Sequence, residues 1–376
     1  MAMRSKPSND AGNPVKKAPS EQPASIHEES SELQEPQVLH RKLQNRHMQM
    51  IGFGGAIGAG LFVGSGSALN AGGPAAVLIA YSIVGVMVLI TTLALAEMAV
   101  LFPVNGAFYA YVVRFVDPGL QVVQLHIPIP SLTLSTSGFA VGWEYALGWL
   151  VTLPFELVAA TITIEFWRND LNMAIWVTVF LFILAGIQCF GVRGYVEFFL
   201  SLIKIAACVG FIILGIIINC GGVGSQGYLG AKYWHDPGPF RNSFNGFCFV
   251  FTVAAFAFGG TEMVGLAAAE SSNPRKSIPK ASKQVFWRVC IFFIVNLFIL
   301  GLILRSDDDR LLGASGANTK ASPFVLAIQD AGIKVLPSVF NGVITVSVIN
   351  VANTSIFGTT RTLQAMAHHV GAQFGA

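Results

Sequence analysis

The chain has 376 residues, of which 53% are hydrophobic and 11% charged, and its formal net charge is +3. An average soluble domain carries about a quarter charged residues, so water is not the main solvent of this chain. So small a net charge, with no basic stripe interleaved with aromatics, excludes nucleic acid as a partner.

Residues 1–42, with Pro7, Pro14, Pro19, Pro23 and Pro36 among many Ser, Glu and Lys, hold too little apolar surface to offset the entropy of folding. They read as a disordered tail. Without the continuous apolar core of a secretory signal, this tail leaves insertion to the first spanning helix. Beyond it, apolar blocks predict about eight membrane spans, near 49–69, 75–100, 139–166, 173–191, 196–219, 246–269, 284–304 and 336–366. Each is long enough to cross the hydrocarbon core and to bond every backbone amide within its own helix. The expected fold is therefore an all-α polytopic transmembrane bundle in a lipid bilayer. A barrel needs alternating strands, and Ile291 to Leu304 does not alternate. The 29 Phe and 39 Gly suit lipid-facing bulk and close helix contacts. Cys189, Cys208, Cys220, Cys248 and Cys290 lie in or beside apolar blocks without CxxC spacing, and read as small hydrophobes.

Orientation follows from positive residues in short loops. Arg41, Lys42 and Arg46 precede the first span, and Arg275, Lys276, Lys280 and Lys283 follow the sixth. An even number of spans separates the two groups, so both lie on one side and the amino terminus is cytoplasmic. Lys232, Arg241, Arg305 and Arg310 oppose this reading and are partly balanced by Asp236 and Asp307 to Asp309.

The first span contains Gly54, Gly55, Gly58, Gly60, Gly64 and Gly66, and each glycine costs roughly 0.5–1 kcal/mol in a helix interior. Close helix packing is one justification. The other is a break, because the sixth span places Gly259 and Gly260 beside Glu262 near mid-membrane. The two weak points lie five spans apart, so their segments cross the membrane in opposite directions, as an inverted repeat requires. An unwound backbone offers N–H groups to a carboxylate and carbonyls to an ammonium, which together suit a zwitterion.

Several ordered segments now match a known family: Leu43 to Met50, Gly54 to Gly66, Gly227 to Pro237, Phe258 to Gly265 and Asn273 to Lys280. From Leu43 to Ala367 the chain resembles a fungal amino-acid permease of the amino acid, polyamine and organocation superfamily. The resemblance implies two inverted five-helix repeats plus two further spans, and uptake of amino acids with protons, without a cofactor. It implies that the substrate carboxylate meets Gly58, Ala59 and Gly60 and that the amino group meets Phe256, Ala257, Phe258, Gly259 and Gly260. Relatives commonly have Thr where Ala59 stands.

Lys204 sits mid-span in Ser201 to Ala207, where an unpaired ammonium needs a partner, a wet cavity or the neutral form. In proton-driven relatives a fifth-helix lysine takes the place of a sodium ion, and Lys204 matches that position; snorkelling to the interface is the plainer reading. Glu262 and Glu156 could each carry a proton or pair with a cation. Glu97 and Glu270 fall near cytoplasmic span ends as gate or interface residues, and His47 and His235 fall outside the spans.

Leu120 to Ser137 does not align with the family, whose members join the flanks almost directly; its Ile127-Pro-Ile-Pro130 cannot continue a helix. A retained intron is the leading account and a loop insertion the alternative. The permease domain, 43–376, holds about eight of some twelve spans of the length a bilayer sets, leaving the second repeat incomplete. A proton-coupled symporter in the plasma membrane is the expected function. A membrane sensor that binds amino acids, or a nonfunctional truncated product, is the alternative. No HExxH, GxSxG or paired catalytic acids support an enzyme.

Overall fold

The computed structural model describes residues 55–104, 106–116, 136–167, 170–190, 193–223, 227–266, 274–311 and 322–374. The tail over 1–42, the Leu43 to Met50 motif, Glu270 and nearly all of the insertion lie outside the described residues. Among those described, every regular element is helical: α1 (Ala59–Phe62), α2 (Gly64–Leu101), α3 (Ala107–Tyr111), α4 (Thr136–Glu165), α5 (Met173–Cys189), α6 (Arg193–Asn219), α7 (Lys232–His235), α8 (Ser243–Ala257), α9 (Met263–Leu266), α10 (Pro274–Trp287), α11 (Asn296–Ile303), α12 (Pro323–Asp330) and α13 (Leu336–Phe374). Short π-helical segments, Val112–Val116 and Arg288–Val295, extend α3 and join α10 to α11.

Among the described residues, four stretches are by themselves long and apolar enough to cross a membrane: Gly64–Leu101, Ser137–Glu165, Tyr195–Asn219 and Leu336–Ala367. Met173–Cys189, Ser243–Ala257 and Ile291–Ile303 are shorter and also apolar. The expected number was about eight, and the difference has physical causes. The stretch called α2 is two helices that meet at a kink at Gly73 and Pro74, the end of the first expected span and the whole of the second. Gly73, at φ 82° and ψ 169°, breaks the path between them. The sixth expected span is divided, and the seventh passes through the π-helical segment. Large apolar side chains such as Ile83, Met87, Ile90, Phe182 and Ile213 point outward. In water that exposure would be costly, whereas lipid is their natural contact.

Elements meet where side chains are small or caps are available. Asn172 caps α5 by accepting from the Ala174 N–H at 2.9 Å, and Ser322 caps α12 by accepting from the Phe324 N–H at 3.3 Å. The Ser322 hydroxyl also bonds the Phe62 carbonyl, anchoring α12 to the end of α1. The turn at Gly72 to Ala75 is clasped by the chain leading into α8: Ala75 N–H donates to Pro239 O at 3.0 Å, Arg241 N–H to Gly72 O at 2.9 Å, and Asn242 Nδ2 to Ala71 O at 3.0 Å. The long α13 packs along α4, and α8 along α2.

After α11 the chain leaves the apolar region in a charged loop. Arg305 pairs with Asp307 at 2.8 Å, and Arg310 joins Asp308 at 2.6 Å to Asp330 at 2.8 Å. The hydrogen bonds from Arg305 and Arg310 hold the Asp307 and Asp308 carboxyls below the usual aspartate range.

Candidate functional site

The first break falls at Ile57 and Gly58. Gly58, at φ −146° and ψ −146°, leaves the helical path, and α1 starts at the next residue. A residue that opens a helix has no earlier carbonyl to bond, so its N–H is free. Here the Ala59 N–H donates to Oε2 of Glu156, on α4, at 3.2 Å. The segment predicted to receive a substrate carboxylate thus already holds a carboxylate from the protein itself.

The second break follows α8. Phe258 N–H closes the helix on Ala254 O at 3.1 Å, Gly259 N–H turns back to Phe256 O at 3.1 Å, and Gly260 takes φ 92°. That left-handed conformation favours glycine because a Cβ would clash with the backbone. The Gly260 N–H donates to Glu262 Oε2 at 2.9 Å, and Glu262 Oε1 accepts from the Tyr145 hydroxyl at 3.3 Å. Glu262 therefore bonds the backbone that its own break frees and ties it to α4.

The broken helices touch backbone to backbone. A Cβ on Gly60 would stand 2.6 Å from Cα of Ala257, and one on Gly260 would stand 2.6 Å from the carbonyl carbon of Gly55. Close packing and helix interruption are therefore joint reasons for these glycines. Beside the crossing lies a cavity of about 800 Å³, bordered by Gly58, Gly60, Glu156, Phe256, Ala257 and Gly259. Glu262 and Tyr145 border it as well. Phe256 is 41% exposed and meets Phe155 edge-on, with ring centroids 4.8 Å apart.

Four predicted residues do not border the cavity, the first being Ala59, which is buried with its N–H on Glu156. The Phe258 ring is buried against Phe293, at 4.4 Å between centroids, and Tyr81, at 5.8 Å, so only its backbone serves the break. Gly260 packs on Gly55 rather than bordering the cavity. Lys204 is fully enclosed behind the cavity wall, within electrostatic reach of Glu156, Glu197 and Cys208. An interfacial, snorkelling lysine does not fit that burial. Glu97 and His235 are exposed.

The sequence reading missed Glu197, Tyr145, Arg288 and the polar face of α13. Arg288 is buried and in electrostatic reach of Glu262. On α13, Ser347, Asn350 and Thr354 are fully buried at helical spacing, and that spacing inside an apolar span was the available signal. No group of His, Cys, Asp and Glu suited to a metal ion occurs among the described residues.

The family profile described as amino acid permease matches residues 47–124 and 130–373, leaving 125–129 unmatched within the insertion. The chain is 53% identical over 334 residues to an uncharacterized amino-acid permease of Schizosaccharomyces pombe, covering 88% of this chain and 54% of the relative. It is 51% identical over 332 residues to a general amino-acid permease of Candida albicans, with coverages of 88% and 54%. A cationic amino acid transporter of Schizosaccharomyces pombe is 50% identical over 335 residues, again with coverages of 88% and 54%. The chain spans about half the length of the curated relatives it matches.

Proposed function

The chain belongs to the amino acid permease family, and from that premise we propose that it serves in a secondary transporter that imports amino acids together with protons. The observation that carries this reading is the convergence of both helix breaks on one cavity. The chemistry at the two breaks is opposite in sign. At the first, the free Ala59 N–H holds the Glu156 carboxylate, which supports the same donor, with Gly58 and Gly60 beside it, as a seat for a substrate carboxylate. At the second, α8 presents the negative end of its dipole and its last carbonyls near Phe256 to Gly260, an environment suited to a substrate ammonium. A zwitterion spanning the two breaks would satisfy both at once.

Lys204, enclosed with acids near the first break, supplies a group whose protonation state can respond to substrate, with Glu156 and Glu262 as further proton carriers. The loop charges support a cytoplasmic amino terminus, and the plasma membrane is the proposed location. Reconstituted vesicles supplied with labelled amino acids and an inward proton gradient test the reading. Accumulation that collapses with the gradient is expected. Binding without accumulation would instead identify a sensor.

A further inference from the structure

Arg275, Lys276, Lys280 and Lys283 lie together on a surface that the transport reading does not use. At 100° per residue these four side chains leave α10 within an arc of roughly 140°, and all four are exposed. Ser277, Ile278, Ala281 and Ser282 fill the remaining arc and are buried. Ile278 and Ala281 pack with Leu95, Ala96 and Ala99, which fixes α10 against the last turns of α2. The basic face is therefore held in place by the bundle.

That face stands at the edge of the apolar region. Leu101, which ends α2, is 72% exposed, and Trp287, which ends α10, is 61% exposed. Trp287 leaves the helix within the same arc as the four cations, one turn after Lys283. Beyond it the chain continues into the apolar stretch Ile291–Ile303. Tryptophan concentrates at headgroup level, where one side of its ring is wet and the other is apolar.

The cations also lack internal compensation. In the charged loop after α11, Arg305 and Arg310 are each paired with aspartates. Among the described residues no ion pair involves Arg275, Lys276, Lys280 or Lys283. Counting the exposed Glu97 of α2 and the sequence neighbour Glu270 against them still leaves four cations facing two acids. An excess of positive charge at headgroup depth complements an anionic phospholipid, whereas a zwitterionic one brings no net charge to meet it. The neighbouring exposed Trp287 favours a ligand with acyl chains over a soluble anion.

We infer that the basic face of α10 binds the headgroups of anionic phospholipids, with Trp287 toward the acyl-chain side of the same lipids. That such lipids surround α10 in the cell rests on the cytoplasmic orientation proposed above, since that leaflet carries them; the binding itself does not.

Titration of the purified chain in detergent with a fluorescent short-chain phosphatidylserine reads the site and requires neither transport nor a known orientation. Saturable binding that excess phosphatidylcholine does not displace is expected. Each cation near an anionic surface contributes about fivefold. Lys280→Gln combined with Lys283→Gln should therefore weaken binding roughly 30-fold, and Arg275→Gln combined with Lys276→Gln should do the same. Lys334→Gln, at an exposed position just before α13, should leave it unchanged. Parent-level affinity in both double variants overturns the assignment. If neither variant folds, binding by the parent that is indifferent to added salt overturns it equally, because exposed charges are screened. Displacement of the lipid by inorganic phosphate or a glutamate-rich peptide at lower concentration than by phosphatidylserine overturns it in favour of a soluble anion. Lipid binding by a chain whose amino terminus proves to lie outside the cell overturns the orientation and leaves the site in place.

Discussion

Gly259 and Gly260 are adjacent, yet the same methyl group should have very different consequences at each. At Gly260 an alanine would adopt φ 92° and press its Cβ to 2.6 Å from the Gly55 carbonyl carbon, closer still to its oxygen. The left-handed conformation costs about 1–2 kcal/mol for a residue with a Cβ. Overpacking against a backbone that cannot rotate away adds about 1–3 kcal/mol. Together they amount to about 2–5 kcal/mol, or roughly thirtyfold to several-thousandfold in a folding equilibrium. At Gly259 a Cβ meets only the Phe256 carbonyl oxygen, at 3.2 Å, and its cost stays within about 1 kcal/mol. Melting of the two variants in detergent, followed by monodispersity on gel filtration, measures the contrast. Equal stabilities would refute the close crossing of the two broken helices at Gly55 and Gly260.

Lys204→Met should abolish proton-driven uptake while the protein still inserts; uptake with an unchanged pH profile removes Lys204 from the mechanism. Phe258→Ala should cost about 3–5 kcal/mol, because it empties a core position beside Tyr81 and Phe293. Phe256→Ala, at the cavity edge, should instead weaken amino-acid binding with a smaller loss of stability. Calorimetry and a binding titration on both variants separate these outcomes, and the reverse pattern would exchange the two assignments. In the charged loop, Arg310 depresses the Asp308 carboxyl, so its contribution is complete above the unfolded value, about 3.9. It is lost as pH falls through the lower folded value. Asp308→Asn should flatten the acid limb of the thermal stability profile below that point, and an unchanged limb would show that the pairing adds nothing.

Span positions were legible because each apolar block had to satisfy its own backbone in lipid, and α4, α5, α6 and α13 begin within a few residues of the expected places. The breaks were legible because Gly58 and Gly260 cannot be justified by helix propensity. What the sequence hid was direction. The single letter Phe reads alike at 256 and 258, yet one ring borders the cavity and the other is buried. Two residues advance a helix by about 200°, so the rings leave on opposite sides. Glu197 was hidden for a different reason: near the start of a span it resembles an interfacial acid, and only the approach of Thr354 from α13 shows it enclosed.

The clasp between Gly72 and the chain before α8 is the second place where the two interrupted helices are joined, the first being the crossing at Gly55 and Gly260. Two rods fixed together at two separate points cannot pivot independently; they form a truss. Any swing of either rod must then carry both half-sites as one lever.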